Sequence, residues 1–325
     1  MFQSKGFALQ SSQKVMITLR LLALLLLCHA LSAAPQRQKT RPGKSTPQPA
    51  PSLQIWVSAY NSNGVHRFDA KSGAVVGPAL NAPGAQSVSR GPDGRLYICA
   101  EEINAVLRFY GTQTNGRFVW DDPTTMADET GGLDGPTAAV FGPDGNLYVA
   151  SFNSDAVLRY DGQTGAFIDF FVTAGQGGLN GPDAGMLFGP DGHLYVPSFN
   201  NNRIIRYNGT SGANLGVFAN QTSGLNQPRA MLFRPNGDLW VSSSGSGQIL
   251  AYDSSGAFLR QVIAMRQVTG FAIHPKDQLL YAATSRGDRV RTFDPTSGAL
   301  IQTFIPGGSD GMDFPTFVSF IKPLI

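Results

Sequence analysis

From residue 53 onward, apolar residues come in short runs separated by polar turns. Between 137 and 171 the chain reads "TAAVFGPDGNLYVASFNSDAVLRYDGQTGAFIDFF". Four runs rich in Val, Leu, Tyr and Phe stand there, each too short for a helix. Pro-Asp-Gly and Gly-Gln-Thr-Gly separate them. Proline presets φ, aspartate bonds back to its own backbone, and glycine accepts a positive φ. The pattern predicts four antiparallel strands.

Nearly the same phrase returns at once: "FGPDGHLYVPSFNNNRIIRYNGTSGANLGVF" starts at Phe188. The turn with its following strand begins at Gly91, Gly142, Gly189, Arg234 and His274, at spacings of 51, 47, 45 and 40 residues. A further copy of the strand, "LQIWVSAY", opens at Leu53 without its turn. Four-strand units at this period predict an all-β fold, a six-bladed β-propeller with four antiparallel strands per blade. A blade has two apolar faces, so it is stable only between neighbours. First strands counted at Gln86, Thr137, Ala184, Arg229, Thr269 and Thr316 give the six blades. The chain opens on a second strand and closes on "FPTFVSFIKP", which matches the first strand in "GPTAAVFGP". The C-terminal strand is therefore predicted to complete the N-terminal blade.

The strand-three phrases "VLRYDGQTGAF", "IIRYNGTSGAN", "VHRFDAKSGAV" and "VRTFDPTSGAL", together with "GPDGNLYV", resemble NHL-type propeller repeats. They are also similar to the gluconolactonase and streptogramin-lyase propeller group. The resemblance runs over nearly the whole chain from Leu53, and it implies the fold. Binders and enzymes share these motifs, so it names no activity.

Strand order assigns the loops to two faces. The GPDG and TG turns share one face, called the bottom here. The acids Asp93, Asp144 and Asp191, and Asp69, Asp161, Asp253 and Asp294, are then expected to serve turns. The top face surrounds the channel mouth. There "LNAP", "LDGP", "LNGP", "LNQP" and "MDFP" precede five innermost strands and set Asn81, Asp134, Asn180, Asn226 and Asp313 in a quasi-symmetric ring. Asn or Asp two residues before Pro favours turns. The same oxygens suit Ca2+ or Mg2+, and Asp134, Asn180, Asn226 and Asp313 are the candidate metal ligands. Resemblance to the lactonase-type propellers implies a divalent ion in the channel held by Glu, Asn and Asp; here no Glu stands on an innermost strand.

The loops between second and third strands add Glu101, Glu102, Phe152, Asn153, Phe199 and Asn200. With Arg229 these are the candidate ligand-binding residues at the mouth, and Tyr60 joins Phe152 and Phe199 as a rim for a planar or sugar-like ligand. Blade two breaks the repeat with "GTQTNGRFVWDDPTTMADETGG" from Gly111. Its Asp121, Asp122, Asp128 and Glu129 are expected toward the top beside Glu101 and Glu102, with Trp120 as a lid. No histidine is expected at the mouth, and no Ser/His/Asp set, zinc spacing or phosphate loop is apparent. A streptogramin-lyase activity would call for a His base beside a metal-bound Glu; neither is found. "RGD" at 286–288 carries no weight as a three-letter match.

Composition alters the picture in two ways. The 325 residues include 38 Gly and only 14% charged residues, which fits many tight turns and few surface helices. The net charge of +3 comes from the N-terminus. Seven basic and no acidic residues precede residue 51, leaving 18 basic against 22 acidic behind it. A nucleic-acid partner is therefore not expected. "LLALLLLCHALSAA", after Arg20, reads as an export signal over 1–34, with translation starting at Met1 or Met16. The Pro-rich basic stretch 35–51 reads as a spacer, and 52–325 as the propeller. With Cys28 in the leader, Cys99 is left as a buried free thiol. The expectation is a secreted or periplasmic monomer, with no membrane span after cleavage. It binds a small molecule, carbohydrate or protein at the top face, or acts as a metal-dependent hydrolase or lyase there. Asn208-Gly-Thr and Asn220-Gln-Thr would accept glycans in a eukaryotic source.

Overall fold

The computed structural model describes residues 52–114 and 117–322. The expected leader and spacer lie outside them. Six four-stranded antiparallel sheets form the six blades. Blade one combines Gln54–Ala59, Gly64–Asp69 and Leu80–Asn81 with the C-terminal strand Pro315–Ile321. That last strand pairs antiparallel with Gln54–Ala59, from Gln54↔Ile321 to Ala59↔Pro315, and closes the ring as expected. Helix among the described residues is limited to five short 3-10 turns.

The second strands are buried on both faces. Leu147–Ser151, Leu194–Ser198, Leu239–Ser243 and Leu280–Thr284 are buried at every position. The outermost strands alternate instead, as Phe167–Val172 does through its first four residues. The core therefore lies between blades. One buried cluster joins Tyr97 and Cys99 of blade two to Leu147, Val149 and Leu158 of blade three.

The repeated GPDG-x-LY phrase is the chemistry of that packing. The Tyr148 ring packs edge-on against Phe188 of the next blade at 5.1 Å and against Phe171 of its own at 4.8 Å. Its hydroxyl donates to Asp144 Oδ2 at 2.9 Å, while Asp144 Oδ1 accepts the Asn146 N–H at 3.1 Å. Tyr97 with Asp93, and Tyr195 with Asp191, repeat the phenol bond. Each aromatic pair adds about 0.5–1.5 kcal/mol beyond the area buried. The leading glycine is needed because the ring lies on it: a Cβ on Gly142 would stand 2.4 Å from Tyr148 Cε2. Blade five makes the complementary change. It has Trp240, which has no hydroxyl to place, and Arg234 replaces the glycine with its guanidinium 4.8 Å from the indole centre.

Blade two departs in the same register. Arg90 stands where other blades put Phe141, Phe233 or Phe320. The vacancy against Trp56 is taken by Trp120, edge-on at 5.3 Å. Trp120 thus packs between blades one and two instead of forming a lid. The hairpin that carries it, Gly111–Thr114 with Arg117–Trp120, springs from the connection between third and fourth strands. That connection is on the bottom face, so Asp121, whose N–H donates to Tyr110 O at 2.9 Å, lies there with Asp122. Only Asp128 and Glu129, past the returning strand Thr124–Ala127, reach the top. The expected six-acid patch is therefore split between the two faces, because the inserted residues extend a bottom turn.

A top-face staple joins successive blades. Asn63, Asn104, Asp155, Asn202 and Asp288 all have positive φ. Their Oδ1 atoms accept the N–H groups of Gly84, Gly135, Gly181, Gln227 and Phe314 in the next blade at 2.7–2.9 Å. The Asp of the RGD triplet is thus part of ring closure. The expected bottom turns also form: Asp161 Oδ1 accepts from the N–H of Gln163 and from both the N–H and hydroxyl of Thr164. The Thr164 N–H, then its hydroxyl, hold the Asp161 carboxyl below the usual range.

Two outcomes follow from this packing. A chain ending at Phe314 lacks the closing strand and is expected to show no cooperative thermal transition by circular dichroism; a Tm within about 5 °C of the full chain would contradict closure. Gly142→Ala is expected to lose about 1–3 kcal/mol in urea unfolding by overpacking against Tyr148. Gly145→Ala, with no atom within 4 Å of its Cβ, should show only the smaller penalty of a positive φ.

Candidate functional site

The top of the channel is built from two registers that all six blades supply. The inner register is the second residue of each innermost strand. Pairings of Ala85↔Ala100, Pro136↔Ser151, Pro182↔Ser198, Pro228↔Ser243, Val268↔Thr284 and Pro315↔Ala59 fix its first residue. The inner register is therefore Gln86, Thr137, Asp183, Arg229, Thr269 and Thr316. The expected Ala184 is one residue out. Blade four carries one extra residue between Pro182 and Gly189, so counting back from GPDG stops one residue short. Gly185 absorbs the kink against blade five, where a Cβ would stand 2.0 Å from Arg229 O.

Three blades give this position a structural task. The Oγ1 atoms of Thr137, Thr269 and Thr316 donate to the carbonyls of Pro182, Pro315 and Ala85 in the next blade, at 2.7–2.9 Å. The other three form a polar network. Arg229 Nε lies 3.2 Å from Asp183 Oδ2, and its Nη2 donates to Gln86 Oε1 at 3.4 Å. Gln86 Nε2 in turn donates to Glu101 Oε2. Blades two and five stand opposite in a ring of six, so the guanidinium spans the channel. Side-chain exposure is 13% for Arg229 and 2% for Asp183. The pair is thus fixed in a dry setting, where removing one partner strands the other charge.

The outer register is the first residue after each second strand: Tyr60, Glu101, Phe152, Phe199, Ser244 and Ser285. Each backbone N–H donates to the residue before its own blade's innermost strand, as Phe199 does to Gly181 O at 3.0 Å and Glu101 to Gly84 O at 3.2 Å. Identical backbone placement with different side chains separates fold from site. Phe199 lies with its ring centre 5.7 Å from the Arg229 guanidinium and 6.0 Å from Phe152. Burial pushes the Glu101 carboxyl above its ordinary value. The Gln86 amide and Arg229 pull it back, and Asp183 and Glu102 add to the rise. Burial, then Glu101 and Glu102, push up the Tyr60 phenol.

The structure thus brings together Glu101, Phe152, Phe199 and Arg229 of the expected set. It adds Gln86 and Asp183, which sequence reasoning missed as site residues. The signal was present: "NGPDAG" keeps the corner proline, and Asp183 follows it as Arg229 follows Pro228. Glu102 is exposed beside Gly84. Asn153 and Asn200 are exposed at the corners, donating to Asp134 Oδ1 at 2.9 Å and Asn180 Oδ1 at 2.7 Å. Asp313 Oδ1 accepts from Asn61 at 3.3 Å, and the Asn226 N–H donates to Ser243 Oγ at 2.8 Å. Asp134, Asn180, Asn226 and Asp313 therefore each bond within their own corner. Among the described residues, no three His, Cys, Asp or Glu side chains are grouped to hold a metal ion. Cys99 is buried, with its thiol pushed up to about 12 by burial.

One set did escape the sequence. Ser62 Oγ lies 2.8 Å from His66 Nε2, and His66 Nδ1 lies 3.1 Å from Asp310 Oδ2. Asp310 is remote in sequence and arrives through ring closure. Ser62 Oγ also accepts the Asp313 N–H at 3.4 Å, the task that Ser151, Ser198 and Ser243 perform for Asp134, Asn180 and Asn226. Blade one has Ala59 at that serine position, and Ser62 replaces it.

No protein-family model matches the chain, and no curated protein matches it with significance. Solved structures do match in fold. A nidogen/laminin complex aligns with TM-score 0.65 and 15% identity, over 84% of this chain and 99% of that chain. The periplasmic gluconolactonase of Pseudomonas aeruginosa aligns with TM-score 0.58 and 17% identity, over 84% and 100%. A Bacteroides caccae protein of unknown function gives 0.59 and 13%, over 84% and 100%. The likeness to gluconolactonase-type propellers therefore holds at the level of fold. No helix among the described residues is long and apolar enough to cross a membrane.

Glu101 supplies a pH test. A carboxyl with a raised native value binds its proton more tightly folded than unfolded. The resulting stability is present below the ordinary glutamate range and lost as pH rises through the raised value. Glu101→Gln keeps an oxygen for Gln86 and removes the charge. Its Tm relative to wild type is expected to rise as pH goes from about 4 to 7; a pH-independent difference would show that Glu101 is solvated.

Proposed function

We propose that the protein is an exported propeller that binds a carbohydrate-like ligand at the top mouth of its channel. The observation that carries this reading is the Asp183–Arg229–Gln86–Glu101 network lying beneath Phe199 and Phe152. A hydroxylated ring has an apolar face and a polar rim. Aromatic faces beside fixed donors and acceptors match both. Asp183 holds the guanidinium in place before a ligand arrives, which lowers the ordering cost of binding. Export rests on the leader pattern at 1–34.

Hydrolysis of a lactone or ester is the second reading, favoured by the Ser62–His66–Asp310 contact and in keeping with the gluconolactonase neighbours. Ca2+ or Mg2+ at Asp134, Asn180, Asn226 and Asp313 fits less well, since their bonds tie each to a separate corner, and no step is derived through a metal.

Saturation-transfer NMR with glucose, galactose, cellobiose and glucono-δ-lactone tests both readings. Transfer to at least one sugar is expected, with affinity reduced about tenfold in Phe199→Ala, the loss of one aromatic contact of about 1.4 kcal/mol. Absence of transfer from all four, or transfer unchanged in Phe199→Ala, would overturn binding at the mouth. Lactone turnover that vanishes in Ser62→Ala would move the assignment to hydrolysis.

A further inference from the structure

A second concave site lies on the top side between blades five and six, away from the channel. Ala264, Met265 and Thr284 line a cavity of 620 Å³ with four arginines: Arg266, Arg286, Arg289 and Arg291. No carboxylate lines it. Among the described residues none of the four arginines has an ion pair within 4 Å. The nearest acid in sequence, Asp288, is turned to the Phe314 N–H at 2.8 Å. Four unpaired guanidiniums stand together on a domain whose acids outnumber its bases.

The repeat shows that this is a departure and not a blade habit. Arg291 occupies the third-strand position that holds Leu107, Leu158, Ile205 and Leu250 in blades two to five. Those residues pack against the preceding blade, as Leu158 does with Tyr97 and Cys99. At Arg291 the apolar plug is replaced by a charge whose Nε is buried without a hydrogen-bond partner. Arg289 also lines the cavity, with its Nε donating to Gly287 O at 2.9 Å. Such a substitution costs desolvation and packing unless an anion compensates it.

We propose that this cavity binds a compact, multiply charged anion: a sugar or cyclitol carrying two or more phosphate or sulfate esters. Planar guanidiniums bind such oxygens in bidentate fashion, and the volume suits a ring of that size. The site is independent of the channel mouth and of the ligand proposed there.

Calorimetric titration of the full chain at low salt, with inositol hexakisphosphate, sucrose octasulfate and inorganic phosphate, tests this. Both polyanions are expected to bind, inorganic phosphate at least about a hundredfold more weakly, and binding to weaken steeply with salt. Arg291→Leu restores the residue of the other blades, so it should keep or raise Tm while lowering polyanion affinity about tenfold or more. The combination Arg286→Ala, Arg289→Ala and Arg291→Leu should abolish binding. The basic stretch at 35–51 is a competing source of positive charge. Polyanion binding unchanged in the triple variant would place it there and overturn the proposal, as would absence of binding at low salt.

Discussion

A blade of this protein cannot stand alone, because its second strand is buried on both faces. Everything else depends on supplying each blade with two neighbours, and a linear chain has two ends where one would be missing. Pairing of Pro315–Ile321 with Gln54–Ala59 removes both ends at once. The same closure delivers Asp310 to His66 and seats Thr316 against the carbonyl of Ala85. The blade-to-blade staples at Asn63, Asn104, Asp155, Asn202 and Asp288 then fix the top loops, so the residues around the mouth inherit a rigid frame.

Quasi-symmetry gives that frame its diagnostic value. Six blades present the same backbone at the inner register, and where the side chain is threonine it bonds to the next blade. Gln86, Asp183 and Arg229 do not, and they meet across the channel. The outer register behaves alike: every N–H makes the same bond, yet Tyr60, Glu101, Phe152 and Phe199 differ in chemistry. A repeat holds constant what folding needs, and a buried carboxyl at Asp183 or a guanidinium at the position of Arg291, where blades two to five put Leu or Ile, costs stability that folding does not require.

The fold was legible because its signals are local. GPDG-x-LY contains its own explanation: a glycine for ring contact, a proline for the turn, an aspartate for both the turn and the phenol. Glu101, Phe199 and Arg229 were legible as mouth residues because topology alone sends their loops to the top. Asp183 was not, since one extra residue in blade four shifted the count. Trp120 misled because an aromatic in an insertion reads as a lid, whereas the gap it fills, opposite Trp56 and left by Arg90, becomes visible only once two blades are side by side.

By itself, then, the sequence determined blade number, strand order, closure and, outside the blade-two insertion, the face on which each loop emerges, because turn chemistry and strand periodicity act over a few residues. Which charges meet was decided only in the tertiary structure. Gln86 and Arg229 are 143 residues apart and join by facing each other across a ring. His66 and Asp310 are 244 apart and join by closing it. Arg266, in the link from blade five to blade six, and Arg291, on the third strand of blade six, share a cavity through packing. Contacts between blades depend on rotation about the ring axis, and no spacing along the chain encodes that rotation.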